Sequence, residues 1–277
     1  MKDLIVAAAC VQSRLADFEA NLDRVAVQAG QAARAGAGLV LFPEACLTGY
    51  GVGPDVFQAA LGLGSRPLKR AGQLAADLGL ALVVGLMERR RARLCLTQVA
   101  FGPRGQILGL YRKIHLGPTE TDRFRAGQEP GLFEHNGARF GLQLCYDGHF
   151  PELSGLQAGR GAEALLIAHA SPRRESPEEK AQRWLRYLPA RAYDNTAYLA
   201  ACNPVADNGQ GLSFAGVALI LGPKGETLAS YTGRRPGLAL AELKAEPLRR
   251  IRASRMGFFR ASRRPELYRK LNDPDET

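Results

Sequence analysis

The chain has 277 residues, long enough to bury a substantial core as one large α/β domain or two small ones. Its content of 46% hydrophobic and 23% charged residues is ordinary for a globular protein. An excess of 37 Lys and Arg over 27 Asp and Glu gives a net charge of +10, which attracts polyanions. No RNA-binding aromatic motif or helix-turn-helix pattern accompanies the clusters at 88–93 and 249–264, so an arginine-rich, solvated surface is preferred to nucleic-acid binding.

Met1-Lys2-Asp3 leads straight into LIVAAACVQ (4–12), too short for a membrane span and without the basic start of a signal peptide. The five cysteines are scattered and odd in number, which suggests reduced thiols in the cytoplasm. The four histidines form no ligand motif, so neither a metal nor a cofactor is expected.

In chain order, LIVAAACVQ is the first strand candidate. A helix is predicted over about 15–35, where Phe18, Leu22, Val25, Ala29 and Ala32 recur at helical spacing. GLVLFPE (38–44) reads as a short apolar strand, followed by a helix at 68–78 and a strand at 80–88. Segments 95–101 and 107–113 form one hairpin. Segments 131–137 and 138–145 form another, with Asn136-Gly137 as the turn. A helix over 150–161 precedes the buried strand ALLIAHA (164–170). Ser176-Pro177-Glu178-Glu179 is a capping-box start for a helix that runs through 195, with Pro189 as a kink. Strands at 196–202, 216–222, 226–232 and 237–243 complete a β-rich second half. The whole reads as one domain over 1–277, with 244–277 as a basic C-terminal extension.

Three apolar strands end in a reactive side chain: Glu44, Lys113 and Cys145. Ligands collect outside the carboxyl ends of strands in open α/β sheets, so the three could share one rim. Singly, each has a plainer reading, because strands often end in charges and cysteine is commonly buried. Together they make a machine. A carboxylate takes the proton of a thiol that attacks a carbonyl carbon. An ammonium and a backbone N–H hold the oxyanion. The helix start after Cys145 would favour a thiolate.

FPEACLTGY (42–50), YRKIHL (111–116) and LQLCYDGHFPE (142–152), in that order and spacing, resemble the three signature blocks of the nitrilase superfamily of carbon–nitrogen hydrolases. Further matches at 191–203, 214–226 and 263–268 extend the resemblance over essentially the whole chain. It implies an αββα four-layer sandwich, two mixed β-sheets face to face and flanked by helices, paired into a homodimer or a higher homo-oligomer. It assigns Cys145 as nucleophile, Glu44 as general base and Lys113 as oxyanion-stabilising lysine. Glu120 matches a second glutamate that orients the catalytic groups, and the Tyr146 backbone N–H is the other oxyanion donor.

True nitrilases typically carry Trp-Glu after the cysteine, whereas Tyr146-Asp147 resembles the amidase-like and carbamoyl-hydrolysing branches. Gly148 and His149 stand where carbamoylases place arginines. By the same resemblance His169 and Ala170 are candidate substrate contacts, as are Tyr50 and Arg173, for which packing and solvation are the plainer alternatives. The expected activity is hydrolysis of a small amide or N-carbamoyl compound through a Cys145 thioester. The alternatives are a nitrilase and, from another class, a basic nucleic-acid-binding or scaffold protein on a hydrolase fold.

Overall fold

A computed structural model describes residues 1–172 and 174–268. One six-stranded sheet contains β1 (Leu4–Cys10), β2 (Leu39–Leu41), β3 (Ala81–Arg90), β4 (Arg93–Phe101) and β5 (Ile107–Arg112). The second contains β6 (Leu132–His135), β7 (Ala138–Leu144), β8 (Ala164–Ala168) and β9 (Tyr198–Cys202). After a two-stranded ribbon, β10 (Ala206–Asp207) with β11 (Ser213–Phe214), the chain adds β12 (Gly216–Leu221) and β13 (Thr227–Gly233) to the second sheet. Strand β14 (Gly237–Leu243) crosses back to the first, pairing antiparallel with β1 along its length. The orders are β14-β1-β2-β3-β4-β5 and β13-β12-β9-β8-β7-β6, each mixing parallel and antiparallel neighbours.

Period-two alternation sorts the strand residues into three cores. Val6, Ala8, Leu39, Leu41 and Val83 face Leu142, Leu144, Leu166 and Ala200 in the layer between the sheets. The alternate residues Ala7, Val40, Leu82 and Val84 pack outward under helices α1 (Phe18–Arg34) and α2 (Arg66–Leu78). Leu165, Ile167, Leu199 and Leu219 pack outward against Trp184 and Leu188. Those two residues come from α4 (Pro177–Trp184) and α5 (Leu188–Asn195), with α3 (Pro151–Gly159) beside them. The result is the expected αββα sandwich.

Several local expectations shift. The first helix begins at Phe18, and its stripe of Leu22, Val25, Ala29 and Ala32 is buried while Phe18 is only half-buried. The long helix expected through 195 starts on the foreseen Ser176 capping box but breaks after Trp184. Pro189 then sits in the first turn of a second helix, where its missing N–H costs nothing. The carboxyl-terminal segment opens with α6 (Ala245–Ala253), which buries Leu248 and sends Arg252 to Glu163. Among the described residues no helix is long and apolar enough to cross a membrane, and all five cysteines are free.

Strand β2 ends at Leu41, and Phe42-Pro43-Glu44 leave the sheet in a turn packed onto β3. Gly85 makes this approach possible. A Cβ there would lie 2.4 Å from the Ala45 nitrogen, 2.8 Å from Gln98 Oε1 and 2.9 Å from the Pro43 oxygen. Gly85→Ala therefore has to push the Glu44 turn outward. It is expected to cost about 1–3 kcal/mol, read as a lowered denaturant midpoint, with a loss of activity larger than the loss of folded protein.

Candidate active site

The carboxyl ends of β2, β5, β7 and β8 meet at one end of the sandwich. Glu44 follows β2, Lys113 follows β5 and Cys145 follows β7. The parallel register Leu144↔Ala168 sets His169-Ala170 beside Cys145. Glu44 and Lys113 are each 1% exposed. Cys145 is half-buried, reachable from solvent but ringed by protein.

The ammonium of Lys113 donates to Glu44 Oε1 at 3.0 Å and to Glu120 Oε1 at 2.8 Å. Glu120 closes a turn, its Oε2 accepting from the Gly117 N–H at 2.7 Å and its Oε1 from the Tyr50 hydroxyl at 2.8 Å. The second oxygen of Glu44 accepts the Ala170 N–H at 3.1 Å, while the Glu44 N–H donates to the His169 carbonyl at 3.1 Å. Lysine has three N–H donors, and two are committed to these carboxylates.

Burial pushes Glu44 up to about 7, against the pull of Lys113 and with the charge of Glu120 adding to the rise. Burial alone would lower Lys113, but Glu44, Cys145 and Glu120 hold its ammonium above the ordinary value. Burial also pushes the Cys145 thiol up to about 12, although Lys113 pulls it down. Burial thus opposes ionisation of Cys145. The helix start expected to favour a thiolate is a five-residue 3-10 helix, Cys145–His149, and burial acts against that effect.

Cys145 has φ +40°, the left-handed region that costs a non-glycine residue roughly 1–2 kcal/mol. Asp147, fully buried, holds the strained turn. Its Oδ2 accepts the Leu144 N–H at 2.9 Å and the Tyr111 hydroxyl at 2.7 Å. Its Oδ1 accepts the His115 N–H at 2.9 Å and lies 2.8 Å from His115 Nδ1. Asp147 thus ties the cysteine turn to the strand end that carries Lys113.

Of the other expected residues, Tyr146 packs edge-on against Phe150 and His149. Tyr50 is buried behind Glu120. His169 is buried and stacked on Trp184 with centroids 4.1 Å apart, and Nε2 has no hydrogen-bond partner among the described residues. Burial, with Lys180 and Lys113 nearby, keeps it neutral. Ala170 meets the site through its backbone N–H. Arg173 lies outside the described residues.

Sequence reasoning used Asp147 only to distinguish branches and passed over Tyr111 and His115. Both lie in the YRKIHL block, whose polar residues flanking Lys113 were the available signal. It also missed a charged cluster near Cys145. Lys180, fully buried, reaches Glu175 at 2.8 Å and the Ser171 carbonyl at 2.8 Å. Arg183 holds the same Glu175 at 2.7 Å. Burial would raise Glu175, but Arg183 and Lys180 overcome it and lower it to about 2.

Comparison with known proteins agrees with this geometry. The family pattern described as carbon-nitrogen hydrolase matches residues 5–253. A Schizosaccharomyces pombe protein named as a probable nitrilase is 29% identical, covering 96% of this chain and 98% of its own. The chloroplastic omega-amidase of Arabidopsis thaliana is 30% identical over 95% of this chain and 73% of its own. A solved amidase of the nitrilase superfamily from Nesterenkonia AN1 superposes with a TM-score of 0.84 at 29% identity, covering 97% of both chains. Another structure of that amidase shows covalent addition of the acetamide moiety of fluoroacetamide at the active site cysteine.

Removing Asp147 strands several buried donors at once, each worth roughly 1–3 kcal/mol when left unsatisfied. Asp147→Ala is expected to lower the unfolding free energy by about 3 kcal/mol or more, measured by denaturant titration.

Proposed function

The chain belongs to the carbon-nitrogen hydrolase family and is an amidase-type enzyme, and we propose that it hydrolyses a small carboxylate-bearing amide through a thioester on Cys145. The observation that carries this reading is the buried Lys113 ammonium held between Glu44 and Glu120 beside the thiol.

Cys145 Sγ attacks the amide carbonyl carbon as its proton passes to Glu44. The tetrahedral oxyanion takes the third Lys113 hydrogen and the Tyr146 backbone N–H. Collapse breaks the C–N bond, and Glu44 returns its proton to the departing nitrogen, releasing ammonia or an amine. Water then attacks the thioester carbonyl while Glu44 removes a proton from it. The second tetrahedral intermediate collapses to the free acid, and the thiolate leaving group recovers its proton from Glu44. A carboxylate pushed up to about 7 suits both directions of transfer near neutral pH. Glu120 fixes the Lys113 ammonium and is itself held by Tyr50.

The carboxylate on the substrate is supported by charge. Lys180 and Arg183 lie near Cys145, and Glu175 is the one acidic partner of both among the described residues. The similarity to an omega-amidase points the same way. Free thiols fit a cytoplasmic setting. Exposed Leu156, Tyr193, Phe259 and Leu267 near α3, α5 and the carboxyl-terminal segment support assembly as a homodimer or larger homo-oligomer.

Ammonia release across amides tests the substrate class. A monoamide of a dicarboxylic acid should exceed its neutral isostere in kcat/KM by roughly tenfold or more; equal values would remove the carboxylate from the assignment. Cys145→Ala should lose at least about 10³-fold in kcat. With Glu44→Gln, intact-mass spectrometry should trap an acyl adduct on Cys145.

Glu44 must be ionised to accept a proton, so kcat/KM should fall about tenfold per pH unit below its pKa of about 7 and level off above it. An acid limb at ordinary carboxylate values would contradict its role as base.

A further inference from the structure

We propose that a recess walled by Arg90, Arg93, Arg112 and Arg125 binds a small phosphorylated anion.

The recess has a volume of about 410 Å³, with Leu110 and buried Cys95 contributing to its lining. Its charge is assembled from three parts of the chain. Arg90 and Arg93 sit directly opposite each other at the end of the β3–β4 ladder. Like charges in that position destabilise a hairpin unless something neutralises them. Arg125 arrives from the loop that carries Glu120, pinned by its N–H to the Leu94 carbonyl at 2.8 Å. Arg112 projects from β5 and is already clamped by Glu88 at 2.6 and 2.8 Å.

Among the described residues no carboxylate pairs with Arg90, Arg93 or Arg125. Three exposed arginines with no carboxylate partner among the described residues therefore line one concavity, with Glu129 the acidic group in its lining. Each fork can grip two oxygens in a plane. Three such forks suit the three terminal oxygens of a phosphoryl group better than the two of a carboxylate. Grouping around one recess also distinguishes the site from a nucleic-acid surface, where cations follow an extended backbone. The apolar floor leaves room for a compact neutral body attached to the phosphate.

The test is calorimetric titration of the full chain with inorganic pyrophosphate at physiological ionic strength. One saturable site per chain is expected, and citrate should bind roughly tenfold more weakly or worse. Arg93→Gln combined with Arg125→Gln should weaken pyrophosphate binding at least about tenfold while amide hydrolysis and the circular dichroism spectrum are retained. Arg249→Gln combined with Arg250→Gln removes the same charge elsewhere and should leave binding unchanged. Four outcomes would overturn the proposal: no saturable binding, equal affinity for citrate, equal weakening by both variant pairs, or tighter binding of single-stranded RNA through the same arginines.

Discussion

The site depends on one ammonium buried between two carboxylates. Lys113 is the only cation directly bonded to Glu44 and Glu120 among the described residues, and all three are nearly inaccessible to water. A buried charge is tolerable only when it is paired and hydrogen-bonded. Removing one partner of such a pair typically costs roughly 3–5 kcal/mol, because the group left behind stays desolvated. Burial, reinforced by the negative charge of Glu120, is what makes Glu44 willing to hold a proton despite Lys113. The same trio that could not be rearranged cheaply therefore also holds a carboxylate pushed up to about 7.

The surrounding fold supplies rigidity to this arrangement. Glu44 is pressed against β3 through the gap at Gly85, and Ala170 and His169 bracket it from the facing sheet. Asp147 gathers donors from the cysteine turn, from Tyr111 and from His115, so the strained backbone at Cys145 is held by groups on both sheets. A left-handed conformation at a non-glycine residue persists only when its surroundings over-determine it. Here a network of buried hydrogen bonds does so.

Much of this was legible in the sequence, and for a definite reason. Glu44, Lys113 and Cys145 each follow an apolar strand, and a strand's end is a position that pattern alone can locate. The four-layer architecture was visible through family resemblance, and the three cores bear it out. Glu120 stood in an irregular loop and was visible only through family resemblance. Asp147 was hidden because its partners Tyr111 and His115 are more than thirty positions away. The Lys180–Glu175–Arg183 cluster was hidden because charges near a helix start read as solvated when their burial is unknown. The break before Pro189 was half visible: proline marked the place, but the sharpness of the turn came from packing Trp184 and Leu188 into one outer core.

The pairing of β14 with β1 has a consequence for how the chain reaches this state. Strand β1 finds one of its two neighbours only after Gly237–Leu243 has been made. Until then β1 presents an open edge, a template for mispairing with other chains. Glu44, Lys113 and Cys145 all precede that closing strand, so the chemistry is encoded early and assembled late. Contacts of such sequence separation slow folding. A nascent chain of this protein therefore spends its longest vulnerable interval with its reactive residues already synthesised and its first sheet unfinished.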